Sequence, residues 1–135
     1  MSAPDNVKTI QAVYEAFGRG DVLAILDVVA DDVDWGTDTA SPVAPWHGIR
    51  RSKAEVQQFF EALGAATEVD VFEPVAIAGT DDGDVMTFVR FTFRRRETGE
   101  SASMNLHHYF HLQDGRIDRY RGTEDLLETQ RLFAD

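Results

Sequence analysis

Residues 103–122, SMNLHHYFHLQDGRIDRYRG, carry three of the chain's four histidines within five positions. Read as a helix, this stretch would place His107 and His111 four residues apart on one face, a good pair for a metal ion. Read as a strand, it sends alternate side chains to opposite faces. Two features decide for the strand. Met104, Leu106, His108, Phe110 and Leu112 alternate with Asn105, His107, Tyr109 and His111, and Asp114-Gly115 is a strong two-residue hairpin signal. Residues 104–112 are therefore expected to run out and residues 116–122 to return. His107 and His111 then lie about 13 Å apart, four residues at roughly 3.3 Å each. They cannot share one ion, no other spacing motif suggests a zinc site, and no metal is expected.

Upstream, VMTFVRFTF (85–93) is rich in β-branched and aromatic residues and reads as another strand. Val69 and Val71, then Val75 and Ile77, alternate in the same way. GTDDGD and ETGE mark the turns between these segments. The first half has helical spacing instead. Val7, Ile10, Tyr14 and Phe17 form an amphipathic stripe that starts near Pro4 and Asp5 and ends at Gly18 and Gly20. Asp21 can cap a short second helix through Val22, Ile25, Leu26 and Val29. Val33 and Trp35 begin an extended segment, and a Pro/Gly-rich loop, TDTASPVAPWHG (37–48), follows. Ser52 and Glu55 form a capping box for a third helix carrying Val56, Phe59, Phe60 and Leu63, with Gly64 as its stop signal. A short helical tail is expected from about Glu124. Three helices followed by an antiparallel meander predict one α+β domain over residues 1–135, helices on one face of a curved sheet.

Composition narrows the function. Among 135 residues, 43 % are hydrophobic and 10 % aromatic, enough for a core plus one pocket. The net charge of −11 opposes binding to nucleic acid or an anionic membrane. No apolar run suffices to span a bilayer, and MSAPDNVKTIQ has no signal pattern, so a cytoplasmic protein is expected. The absence of cysteine excludes disulfides and thiolate metal sites. With no glycine-rich phosphate loop either, no cofactor is expected.

His108 stands out as the one ionisable residue on an otherwise apolar strand face. It is either a buried histidine satisfied by one partner or a pocket histidine poised for proton transfer or oxyanion stabilisation.

Three segments, VYEAFGRGDVLAILDVVADDVDW (13–35), PWHGIRRSKAEVQQFFEAL (45–63) and HHYFHLQDGRIDRYRG (107–122), resemble the nuclear transport factor 2-like superfamily. Within it the similarity is to the SnoaL-like and ketosteroid-isomerase-like proteins. The resemblance implies a cone, in which a curved antiparallel sheet wraps three N-terminal helices around an apolar cavity. It implies cofactor-independent proton transfer on a carbonyl compound, as in isomerisation or polyketide-type cyclisation, with non-catalytic binding of an apolar ligand as the alternative. His108 falls where steroid isomerases place the protonated aspartate of their oxyanion hole. Their tyrosine falls near Val13 or Tyr14, and their general base near Thr37 and Asp38, with Asp34 competing. The epoxide hydrolase pattern fails, because its required charged positions are Val89, Phe91 and Gly122 here. The implied catalytic residues are His108, Asp38 and Tyr14. The expected wall comprises Phe17, Trp35, Trp46, Phe59, Phe60, Val89, Phe91, Phe93, Met104, Leu106, Phe110, Tyr120, Gly122 and Glu124. Glu124 is also a second acid candidate, and His47 is expected to be exposed. Such proteins are commonly homodimers through the outer sheet face, here Arg90, Thr92, Asn105, His107, Tyr109 and His111.

Overall fold

The computed structural model describes residues 1–134. Helix α1 (Ala3–Gly18) opens on a capping box in which Ser2 and Asp5 bond each other's backbone. Asp21 caps the short helix α2 (Val22–Leu26) by accepting from the Ala24 amide at 3.1 Å. Strand β1 (Val29–Thr37) leads through the Pro/Gly loop to α3 (Lys53–Ala66), capped by Ser52. Gly64 does not stop α3; the helix runs two residues further, and Thr67 then turns the chain straight into β2 (Thr67–Gly79).

The meander continues through β3 (Asp84–Arg95), β4 (Ser101–Gln113) and β5 (Arg116–Thr123), and the chain closes with α4 (Leu126–Phe133) capped by Asp125. Asp114 and Gly115 both have positive φ, 52° and 78°, as the tight β4–β5 hairpin requires. The sheet order is β1-β5-β4-β3-β2. Strands β2 to β5 pair antiparallel, whereas β1 joins β5 in parallel, with Thr37 opposite Gly122. That parallel edge was outside the sequence reading, because its partner lies some 85 residues away.

The two alternating fragments around Val69 and Val75 are one edge strand, interrupted by register shifts between Val69 and Val71 and between Pro74 and Ala76. Each extra residue bends the strand, and an edge position tolerates Pro74, which has no amide to give. The result is a curved, unclosed five-stranded sheet with helices in its concave side, α1 on β2 and β3 and α3 on β1. Ile10, Val29, Val33 and Ile117 are buried to 1 % exposure or less and belong to the packed core. Beside that core the interior keeps a pocket. No helix among the described residues is long and apolar enough to cross a membrane.

Candidate functional site

Alternation along β4 sends Met104, Leu106, His108 and Phe110 inward, while Asn105 and His107 are exposed outside. Of the three clustered histidines only His108 lines the pocket. His107 packs edge-on against Phe88, ring centroids 5.2 Å apart. His111 bonds Asp118 at 2.6 Å and the Asp82 carbonyl at 3.1 Å on the other side of the sheet. With an acceptor at each ring nitrogen, His111 is satisfied only as the imidazolium. The Asp118 bond pushes its pKa up.

The cavity, about 90 Å³, is lined by Val13, Tyr14, Phe17 and Ile25 from α1 and α2 and by Phe59, Phe60 and Leu63 from α3. Trp35, Thr37 and Trp46 line it from β1 and the loop. The sheet supplies Phe72, Phe91, Met104, Leu106, His108, Phe110, Tyr120 and Gly122, and Thr123 and Glu124 complete it.

Five residues stand otherwise than expected. Asp38 is exposed, because Thr37 pairs with Gly122 and takes the inward position, leaving the next side chain to solvent. Its rival Asp34 faces Arg121 in an ion pair of 2.9 Å outside the lining. Phe93 and Val89 are fully buried but do not line the cavity; Phe93 stacks on Phe91 at 4.9 Å and belongs to the packed core. His47 is buried rather than exposed, with its side chain fully covered.

Two polar stations remain among the aromatic walls. At the first, the Tyr14 hydroxyl lies 2.6 Å from Thr87 Oγ1 and 2.8 Å from His108 Nδ1. The direction of this chain follows from counting hydrogens. Buried Thr87 has no other acceptor for its hydroxyl hydrogen among the described residues, so the direction that leaves no hydroxyl hydrogen unused has Thr87 donating to Tyr14 and Tyr14 donating to His108 Nδ1. In that direction His108 carries its proton on Nε2, which has no partner among the described residues. Burial lowers its pKa from 6.5 to about 4; His107 adds to that shift and Glu124 opposes it. Burial also pushes the Tyr14 phenol well above its ordinary range, past the lowering effect of Thr87. The first station is neutral.

Tyr120 extends it. Its ring centroid lies 5.4 Å from that of His108, and its hydroxyl has no hydrogen-bond partner among the described residues. Burial raises its pKa strongly. The hydroxyl reaches over Gly122, where a Cβ would stand 2.3 Å from it, so glycine is required at this close approach.

The second station is a carboxylate. Glu124 Oε1 accepts from Trp46 Nε1 at 3.0 Å and from His47 Nε2 at 3.2 Å, and Oε2 accepts from Thr129 Oγ1. Burial pushes the Glu124 carboxyl up, but bonds from His47, Thr129 and Trp46 together outweigh it and hold it below the ordinary carboxylate value. No lysine or arginine pairs with it among the described residues. A carboxylate has about four lone-pair positions, and three are filled, so one acceptor position on Oε2 is left. The arrangement therefore offers neutral donors, a charged acceptor and apolar walls in one enclosure.

Comparison with known proteins follows the same lines. The family model of the SnoaL-like domain matches residues 10–120. A search of curated proteins finds no match. Among solved structures, a nuclear transport factor 2-like protein of unknown function from Burkholderia pseudomallei K96243 is similar at 25 % identity, covering all of both chains with a TM-score of 0.86. TerC, co-crystallised with polyporic acid, matches at 19 % identity over 97 % of this chain and 99 % of its own, TM-score 0.82. A candidate polyketide cyclase from Xanthomonas campestris pv. campestris matches at 20 % identity over 98 % of both chains, TM-score 0.78.

Proposed function

Because the chain belongs to the SnoaL-like domain family, we propose that its cavity enolises a small, mostly apolar carbonyl compound without a cofactor. In this reading the ligand's carbonyl oxygen accepts from His108 Nε2–H and from the Tyr120 hydroxyl. Glu124 Oε2 takes a proton from the neighbouring carbon. The C–H bond breaks, its electron pair moves to the oxygen, and the developing enolate is held by two neutral donors. Returning the proton to the same or another carbon completes an isomerisation; attack of the enolate on a second carbonyl is a cyclisation. Tyr14 and Thr87 fix the His108 tautomer.

The observation that carries this reading is the pairing of one ionised acceptor with unpartnered neutral donors in a single apolar cavity. Such a set can deprotonate carbon only where charge builds on the substrate oxygen opposite the base. Size restricts the substrate further. An engineered apolar cavity of about 150 Å³ holds benzene, so at about 90 Å³ this one takes a ligand of one ring only as the mouth opens.

The test is exchange of hydrogen for deuterium beside the carbonyl of small cyclic ketones and diketones in heavy water, followed by NMR. Exchange above the buffer rate by the wild type, lost in Glu124→Gln, is expected. Binding without exchange would replace this reading with the second one, a non-catalytic binder of an apolar ligand, which the predominantly aromatic lining favours. The same proposal includes a homodimer through the outer sheet face, where Val71, Val75 and Met86 are 44, 49 and 57 % exposed beside Arg90 and His107. Sedimentation at micromolar concentration should give twice the chain mass, and a monomer would remove this part.

A further inference from the structure

Glu124 lies between the end of β5 and the cap of α4, and each group around it comes from a different segment. His47 belongs to the loop before α3. Its Nδ1 accepts from the backbone amides of Val43 at 3.0 Å and Ala44 at 3.2 Å. Two donors on one nitrogen leave no room for a proton there, so the imidazole hydrogen is on Nε2 and can only be given to Glu124 Oε1. His47 therefore holds the carboxylate without relieving it of a proton.

Thr129, on α4, is completely buried. Its hydroxyl oxygen lies against Glu124 Oε2 and also 3.1 Å from the Asp125 carbonyl. A hydroxyl has one hydrogen to give, so it can serve only one of these at a time. With Glu124 ionised, Thr129 donates to Oε2. With a proton on Oε2, the bond reverses: the carboxylic acid donates to Thr129, and the Thr129 hydrogen turns to the Asp125 carbonyl. Every polar atom keeps a partner in both states.

We propose that His47 and Thr129 are positioning residues that make Glu124 a reversible proton carrier, His47 by clamping Oε1 and Thr129 by reversing its bond to Oε2. This assignment rests on the reading of Glu124 as the proton acceptor of the cavity. It divides the carboxylate: Oε1 is saturated by Trp46 and His47, so substrate protons arrive at Oε2. The other titratable groups facing the same enclosure are His108 from β4, Tyr120 from β5 and Tyr14 from α1; α3 presents only apolar side chains to it.

The experiment follows the Glu124 side-chain carboxyl by ¹³C NMR through a pH titration, alongside ¹⁵N spectra of His47. Thr129→Val keeps the shape of the side chain but removes the hydroxyl, and should make Glu124 a weaker acid by roughly tenfold. Thr129→Ser should restore the wild-type midpoint. His47→Ala should weaken the acid in the same sense, and His47→Gln, which keeps a donor, should recover part of it. In the wild type, with no substitution at all, His47 should show an unprotonated Nδ1 and a protonated Nε2. A group that merely latched the loop to α4 would lower the melting temperature in these variants and leave the Glu124 midpoint in place. That result, or a protonated Nδ1 on His47, would overturn the proposal. If the midpoints move as expected while ketones fail to exchange deuterium, the enolisation reading falls and the positioning roles stand.

Discussion

The two polar stations of the cavity bury ionisable groups to a similar degree and reach opposite charge states. His108 meets only hydroxyls, Tyr14 and through it Thr87, and burial makes it neutral. Glu124 meets three donors aimed at its oxygens, and they keep it ionised despite burial. Burial disfavours the charged form in both cases, so the hydrogen-bond partners decide the outcome. The two are also built differently. The first station sits on adjacent rungs of the sheet, since His108 pairs with Thr87 on one side and Gly122 on the other. The second gathers a loop, a strand end and a helix.

The largest expected difference concerns the chemistry. Glu124→Gln keeps size and accepts hydrogen bonds but cannot take a proton, so deuterium exchange should fall by about 10²–10⁴-fold while ligand binding persists. If the variant retained full exchange, the charged station would have no catalytic part.

Acid should next separate the two stations. The unfolded chain binds a proton at His108 near 6.5, the folded chain only near 4. Stability from this group is complete above about pH 6.5 and is lost as pH falls toward 4, roughly 3 kcal/mol in all. For Glu124 the folded value is below the ordinary 4.5, so its contribution is present above that pH and is lost only below it. Denaturant midpoints measured from pH 8 to 3 should flatten in the upper window for His108→Phe and in the lower window for Glu124→Gln. Identical profiles for the two variants would erase the distinction.

Smaller is the cost of Tyr14→Phe. It leaves the Thr87 hydroxyl and His108 Nδ1 unpaired in the interior, for a destabilisation of about 1–3 kcal/mol measured by denaturant unfolding. Least of all, His107→Ala should change monomer stability by no more than about 0.5 kcal/mol, because the side chain is exposed outside the sheet. A loss as large as that of Tyr14→Phe would put His107 inside and undo the strand register.

The same contrast explains what could be read from the chain alone. Parity along one strand is local information, and it placed His108 among Met104, Leu106 and Phe110 and set His107 and His111 outside. Helical spacing likewise put Tyr14 on the stripe that meets the sheet. Glu124, His47 and Thr129 converge from positions up to 82 residues apart, with no shared period, so Glu124 was legible only as a candidate acid and His47 read as a loop residue in solvent. Asp38 misled for a related reason. It stands where the Pro/Gly-rich loop (37–48) begins, and the parallel pairing of β1 with β5, which turns Thr37 inward, has no local signature. Phe93 obeyed the alternation correctly but is fully buried against Phe91, where the same face is packed solid. Period predicts which face a residue takes; it does not predict how deep the cavity extends.

The neutrality of His108 beside an ionised Glu124 is the point on which the proposed chemistry turns, since a charged imidazole would pair with the carboxylate and quench the base. Titration of the protein labelled with ¹⁵N in its histidine rings reads this directly. The expected result is a His108 ring that remains neutral, protonated at Nε2 and bare at Nδ1, from pH 8 down to about 5, with its midpoint near 4. A midpoint at 6.5 or above would contradict the account.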